Sequence, residues 1–452
     1  MLSERVRVTQ RRLRKELIGS VLDEFDGQLM GLPQDKRLQK YAKMAGSPFS
    51  FYRGSAYLFY FDVSREWFPY HTSPERPTWI QGDLHFENFG AFRSEDGRIV
   101  YDVNDFDEGY LGSYLYDLLR MSVSIALVCR TKQIEEDGQK NAITTYLEAY
   151  ANQIRRFAKH KDDPRTLVFD KDRTSGLIRK LLKKTEKRLA SQFLEGVTTL
   201  TRSARRFTKS DEIRPVTKAE RRQLEDSWQH YLASLATGTK RPDGYYAIKD
   251  VAVKHGSGTA SIGLDRYYVL IEGEGGAHAL DDIIIEVKEV RAPVPAYFMP
   301  YNETFWTYFG HQGKRVIATQ QAMHHMADPY LGYLTMDERD YYVRERSSYK
   351  KRLKADKLAE TEDWMPVLDC MGRITAKLHA RADADIEHGL MPYHSEDEIL
   401  QAIGPDTDAF CDYIAHWAIS YAHQVEEDYA LFTEWLGERK ENRHQTVAHN
   451  EA

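Results

Sequence analysis

Two short acidic stretches carry residue types that do chemistry: G-D-L-H-F-E-N-F at Gly82 to Phe89, and N-D-F-D at Asn104 to Asp107. Phosphoryl transfer needs a carboxylate to orient the attacking hydroxyl, and an amide with a second carboxylate to hold magnesium against nucleotide phosphates. Asp83, Asn88 and Asp105 supply that set, with Asp107 as a further metal contact. Either aspartate alone is the kind that caps a turn. The ordered set favours chemistry.

Asp83 and Asn88 stand five apart, the offset between base and metal-binding amide in the loop H-R-D-x-x-x-x-N. A tight loop at that offset can aim both side chains at one phosphate. Between the acidic stretches, Ser94 to Gly97 reads as a turn and Arg98 to Val103 as a short strand with Ile99, Tyr101 and Val103 on one face. A hairpin there brings the two acidic loops together. In the helix that follows, Leu115, Leu118, Leu119 and Ser122 share a side, so Asp117 sits in the first turn with a structural role. Upstream, Lys36 to Met44 reads as a basic helix and Phe49 to Asp62 as a buried aromatic segment. Arg53 within it either snorkels to solvent or meets an anion.

A second candidate region begins at Tyr245, where strand, glycine loop and strand follow one another. Gly256, Ser257, Gly258 and Gly263 form a loop whose backbone can approach phosphates, or an ordinary hairpin turn. Next comes I-I-I-E-V-K-E-V, with Lys288 on a β-branched strand. A lysine there is costly unless its ammonium meets an anion, and nucleotide phosphates are the anion proposed. The alternative is plain alternation, with Ile283, Ile285 and Val287 facing a core while Glu286 and Lys288 face water.

The remaining segments frame these two. Ile134 to Gly244 reads as helical and highly charged, with Arg179 to Arg188 a solvated helix face and Arg214-Pro215 and Gly238 to Gly244 as linkers. Lys314 to Met326 is an amphipathic helix on which His324 and His325 point different ways and make no metal pair. Tyr341 to Arg346 returns to strand, and two apolar-faced helices follow, the first carrying His379, a helix-packing histidine in preference to one near the catalytic loop.

At 452 residues the chain exceeds one compact core, so two or more lobes are expected. A net charge of −6 offers no global field for nucleic acid. Three scattered cysteines, Cys129, Cys370 and Cys411, exclude a disulfide framework or a cysteine-rich zinc site and fit a reducing cytosol. The charged start lacks the apolar core of an export signal, and Met121 to Cys129 is too short to cross a bilayer. A soluble cytoplasmic protein without a membrane or nucleic-acid partner is expected.

Through G-D-L-H-F-E-N, D-F-D and D-L-L-R (Asp117 to Arg120), the chain resembles aminoglycoside phosphotransferases and choline-kinase-like enzymes of the protein-kinase-like superfamily. Through S-P-F-S-F-Y-R-G, G-D-L-H-F-E-N-F-G, N-D-F-D-E, G-S-G-T-A-S-I-G, V-K-E and K-L-H-A-R-A, in that order, it is similar to the bacterial family catalogued as domain of unknown function 2252. That similarity spans most of the chain but leaves about 150 to 240 without motifs. The resemblance implies Asp83 as catalytic base, Asn88 and Asp105 as magnesium ligands, and Lys288 as the phosphate-pairing lysine. Asp107 ranks below Asp105, because the first Asp of D-F-D matches the motif.

Three features depart from the kinase pattern. The glycine loop and lysine strand follow the catalytic loop rather than precede it, which a circular permutation reconciles. No glutamate lies among Arg315 to Met326 to pair with Lys288, leaving Glu303 or Gln320 as substitutes, and Ser261 stands at the third glycine position. The expected architecture is α+β: a permuted, two-lobed kinase-like fold with a helical insertion. Its parts are 1–130 with the catalytic and metal loops, 131–244 as the charged helical segment, 245–350 as a β-rich nucleotide lobe, and 351–452 as helices completing the large lobe. The expected function is Mg²⁺- and ATP-dependent phosphate transfer to a hydroxyl of an unidentified small molecule or protein. The alternatives are a non-catalytic nucleotide-binding pseudokinase and an AMP-transferring enzyme.

Overall fold

The computed structural model describes residues 2–450 apart from 189, 202–203, 236–240, 242–243, 257–261, 274–280, 325–327, 354, 359–360 and 385–389. The first part holds α1 (Leu2–Leu22), α2 (Gln34–Met44), α3 (Pro48–Gly54), α4 (Ala56–Val63), β1 (Thr78–Ile80), β2 (Phe89–Arg93), β3 (Ile99–Val103), β4 (Tyr110–Gly112), α5 (Leu115–Thr131) and α6 (Glu136–Ala158). Next come α7 (Gly176–Glu186), α8 (Ala190–Val197), β5 (Thr198–Leu200), β6 (Arg205–Phe207), β7 (Ile213–Pro215), α9 (Lys218–Ser234), β8 (Ile248–Lys254), β9 (Arg266–Ile271) and β10 (Ile283–Glu289). The chain continues through α10 (Glu303–Tyr308), α11 (Gln312–Met323), β11 (Gly332–Met336), β12 (Arg339–Glu345), β13 (Lys351–Arg352), α12 (Thr361–Ala380), α13 (Ser395–Ile403) and α14 (Thr407–Asn450). The architecture is mixed α+β.

Helix α5 is buried from Leu115 to Cys129 apart from Tyr116, as an almost wholly apolar helix must be. It forms the axis of the main core, against α3, α6 and α14. Helix α12 lies close on α6: a Cβ on Gly372 would come 2.2 Å from the Tyr146 carbonyl oxygen, so only glycine permits this approach. The expected buried segment at Phe49 to Asp62 is two short helices, and Ser47 caps the first by accepting from Ser50 N at 3.0 Å, with Pro48 in the first turn.

Two sheets position the candidate residues. Strands β2 and β3 form the expected hairpin, antiparallel with Phe89 opposite Val103, closed where Ser94 N donates to Arg98 O; β13 pairs the other edge of β2. The larger sheet is antiparallel throughout, in the order β11-β12-β10-β9-β8-β7. Alternation divides its two faces. Val251, Tyr267, Val269, Ile285, Val287 and Val343 pack under Leu224, Trp228 and Tyr231 of α9. Glu286 and Lys288 occupy the reverse face beside their cross-strand partners Arg344, Tyr342 and Arg266. That reverse face does not open to water, since Glu286 and Lys288 are each 2% exposed.

Two expectations for the middle segment are corrected. Arg214-Pro215 is not a linker but belongs to β7, the edge strand paired with β8, where a proline costs no ladder bond on the open side. The segment is also not helical throughout, because β5, β6 and β7 interrupt it. Strands of three residues are too short to leave a periodic signal. Gly238 to Gly244 lies largely outside the described residues, as do Ser257, Gly258, Ser261 and His325. The three cysteines are buried and unpaired, and no described helix is long and apolar enough to cross a membrane.

Candidate functional site

The Gly82 to Asn88 loop is held from below by a buried relay. Asp117 accepts from Gln81 N at 2.6 Å and Gly82 N at 2.9 Å. His379 Nε2 lies 3.2 Å from the same carboxylate, and its Nδ1 lies 2.9 Å from Tyr150 Oη. Asp117 is structural as expected, yet its work is to fix the loop rather than only to meet a helix end. His379 does more than pack, since it orients that carboxylate. Gly82 has φ +83°, and a Cβ there would come 2.1 Å from Glu108 O, which ties the two acidic loops together.

Within this loop Asp83 receives Arg120 Nε at 2.7 Å. Arg120 is fully buried and stacks over Tyr52 at 4.5 Å, so it holds one orientation. Burial pushes the Asp83 carboxyl above the usual carboxylate range, with Arg120 as the main opposing influence. Asn88 accepts from His85 N at 2.7 Å through its side-chain oxygen, and Ser124 Oγ accepts from Phe86 N at 2.8 Å. Arg53 does not snorkel to solvent. It donates to His85 Nε2 at 3.1 Å and to Glu87 at 2.5 Å.

The second acidic loop is also pinned through its backbone. Gln81 Nε2 donates to Asp105 O at 2.7 Å. Arg315 of α11, fully buried, donates to Asp107 O at 2.8 Å, Gly109 O at 2.8 Å and Arg291 O at 3.0 Å. Asp107 and Lys288 form an ion pair across 181 positions of sequence. Burial works to raise the Asp107 carboxyl, but the charge and hydrogen bond of Lys288 outweigh it and leave the group below the usual range. The Asp105 carboxylate has no hydrogen-bond or ion-pair partner among the described residues, and Asp107 Oδ1 is buried without one.

Asp83, Asp105, Gly256 and Lys288 line one cavity of about 710 Å³. Its walls also carry Arg53, Arg266, Glu286, Gln320, Arg344 and Lys350. Glu286 is held well below the usual carboxylate range although burial opposes this, because Arg344 at 2.8 Å and Arg266 at 3.5 Å flank it. Lys350 Nζ donates to Asn104 O at 3.0 Å, and burial beside Arg344 holds its ammonium well below the ordinary lysine range. A smaller cavity of about 100 Å³ adjoins this one, lined by Asp83, Asp105, Asp107, Glu108 and the rings of Phe25 and Tyr57. Asp83 and Asp105 therefore face both spaces.

Not every expected residue reaches a cavity. Asn88 lines neither of the two. Gly256 has φ +75° at the cavity wall, whereas Gly263, with φ +87°, is pressed against Leu32, 2.3 Å from where a Cβ would sit. Glu303 lines a different cavity, with His71 and Pro74, while Gln320 shares the main one. The partner of Lys288 is Asp107, neither of the substitutes expected. Sequence reasoning missed Arg315, Glu286 and Arg344. A signal existed for Glu286, two positions before Lys288 on the same face, which argued for a polar lining.

The arrangement offers a half-buried carboxylate on a rigid loop, a second carboxylate with unsatisfied oxygens beside it, and a ring of cations on the facing sheet. That combination suits a polyanion bound through a divalent cation. Residues 34–435 match the family described as an uncharacterized protein conserved in bacteria (DUF2252), and the chain belongs to it. No curated protein matches the chain, and neither does any solved structure.

Proposed function

We propose that this member of the bacterial family is a cytoplasmic Mg²⁺- and ATP-dependent phosphotransferase acting on a hydroxyl, with a kinase-like two-lobed fold in circularly permuted order. The observation that carries the reading is the Lys288–Asp107 ion pair, which joins β10 to the second acidic loop: Lys288 lines the larger cavity and Asp107 the smaller, and Asp83 and Asp105 line both. The order β8, β9, lysine-bearing β10, then α11, with the glycines of the sequence between β8 and β9, supports it, since kinases place their phosphate-pairing lysine on the third strand.

A magnesium ion held here would supply positive charge to offset that of the phosphates. Asp105 and Asp107 fit as its ligands, because the first has a carboxylate with no partner and the second an orphaned buried oxygen. Asn88 supports the loop through His85 N rather than facing the cavity. Lys288 and the backbone at Gly256 are the groups to position phosphates, with Arg53 and Arg344 nearby. Asp83 is the group to accept the hydroxyl proton, and its raised proton affinity suits a base. The smaller cavity, which Asp83 also lines, is the space left for the acceptor.

A second reading, a nucleotide-binding protein without catalysis, is favoured by the engagement of Asn88 with His85 N, since Asn88 lines neither cavity. Thermal shift with Mg-ATP followed by ATP turnover separates the two. Phosphotransfer requires turnover that falls by about 100-fold or more in Asp83→Ala. Binding without Asp83-dependent turnover establishes the second reading, and label retained from α- rather than γ-labelled ATP identifies AMP transfer.

A further inference from the structure

Away from both cavities, the connection between α12 and α13 brings one imidazole and two carboxylates together. Ligand atoms of Asp383, His394 and Glu396 lie within 4.8 Å of one another. Asp383 and Glu396 are buried, at 3% and 5% exposure, whereas His394 keeps 46% of its side chain exposed. None of the three lines either cavity described above. We propose that Asp383, His394 and Glu396 form a binding site for a divalent transition-metal ion such as Zn²⁺.

Proximity alone would not carry this, since carboxylates cluster for many reasons. The independent observation is Glu396 Oε2, which is buried and receives no hydrogen bond from a donor group among the described residues, its side chain meeting only the Asp383 carboxyl; the Ser395 hydroxyl beside it is buried without a partner too. A buried polar oxygen without a partner is costly, and two buried carboxyls facing each other need a counter-charge or a shared proton. The half-exposed imidazole beside them tips the choice toward a metal, because it offers a third donor and an entry path. One imidazole and two carboxylates suit Zn²⁺ or Mn²⁺ and leave a position for water. Magnesium prefers oxygen donors and retained water.

The surroundings already hold the donors in place. Asp383 Oδ2 accepts from Ser395 N at 2.8 Å, and Ala384 N donates to Tyr393 O at 3.1 Å. Tyr393 Oη donates to Pro77 O at 2.6 Å, anchoring the same connection to the segment before β1. His394 Nδ1 stands 4.0 Å from Asp383 Oδ1. Donors around tetrahedral zinc stand about 3.4 Å apart, so closure asks for movements of roughly 1 Å, mostly by the exposed ring. The ion would staple the connection that follows His379, and so steady the relay beneath the Asp83 loop.

The test uses the full-length chain, stripped with a chelator and dialysed against Zn²⁺ alone, with bound metal counted by elemental analysis and stability followed by thermal unfolding. Wild type takes up one more equivalent than His394→Ala and Glu396→Gln, and only wild type gains the accompanying rise in Tm. Asp105→Asn keeps that equivalent, which separates this site from the cavity. Affinity falls by at least about tenfold in either variant, since even an outer-shell partner is worth that much. No uptake by wild type, or uptake that persists in folded His394→Ala, overturns the site and leaves the two carboxyls sharing a proton.

Discussion

The two walls of the main cavity are built on different principles. On the helical side, the Gln81 to Asn88 loop and the Asp105 to Gly109 turn are fixed through their backbones, by Asp117, Gln81, Ser124 and Arg315. On the sheet side, Lys288, Glu286, Arg266 and Arg344 are held by one another's charges, on strands whose backbone bonds are satisfied elsewhere. The acidic wall therefore keeps its shape when individual charges change. The proposed function asks the basic wall to re-pair its charges around an anion, with Lys288 exchanging Asp107 for a phosphate while its strand stays in place.

The sharpest way to break this contrast is to remove the keystone of the rigid wall. Asp117→Ala strands Gln81 N, Gly82 N and His379 in a dry interior and should cost about 3–5 kcal/mol, the range for breaking a buried charged network. Urea unfolding measures it. Turnover should fall in step, and an unchanged midpoint would contradict the relay.

On the basic wall the cost should be conditional. Lys288→Met leaves the Asp107 carboxylate buried without its partner and should destabilise by about 3 kcal/mol, whereas Lys288→Met with Asp107→Asn should recover most of that loss. A double-mutant cycle reads the coupling. Additive losses would mean that the two residues do not share one interaction.

The smallest effect concerns pH. Burial lifts the Glu108 carboxyl to about 7, with Val294 N, at 2.5 Å, opposing and Asp83 and Asp107 adding to the rise. Its folded value lies above the ordinary 4.5, so the native state binds the extra proton between those limits. Stability therefore falls as pH rises through that window and levels off above it. Glu108→Gln should flatten the fall, by up to about 3 kcal/mol, in denaturation run from pH 4.5 to 8. An unchanged slope would assign the pH dependence elsewhere.

Legibility followed the range of the interactions. The Gly82 to Asn88 and Asn104 to Asp107 loops, the hairpin between them and the strand carrying Lys288 were all readable, because local pattern and turn residues determine them. The faces of β10 were readable too, but what covered the polar face was not: alternation says which residues share a side, and only tertiary packing says whether water lies there. Arg315 looked like one more charge on an amphipathic helix. Besides Gln312 Oε1 one turn back, its acceptors are backbone carbonyls from Asp107, Gly109 and Arg291, groups every residue possesses, so no side-chain pattern announces them. Likewise β7 escaped notice, since its pairing with β8 lies in the partner's register.

Arg315 has a consequence for how this chain tolerates change. Because its guanidinium grips main-chain oxygens, the clamp is blind to the side chains it holds. Arg291 can be exchanged and the turn remains seated, whereas exchange of Asp107 also strands the buried ammonium of Lys288. Gly109 is the exception, for a Cβ there would meet Thr319 of the same helix at 2.1 Å. A designer reshaping the loop beside Asp105 thus has a ready-made chassis, in which the backbone at 107 keeps its position whatever side chain it carries, provided Lys288 is changed to match.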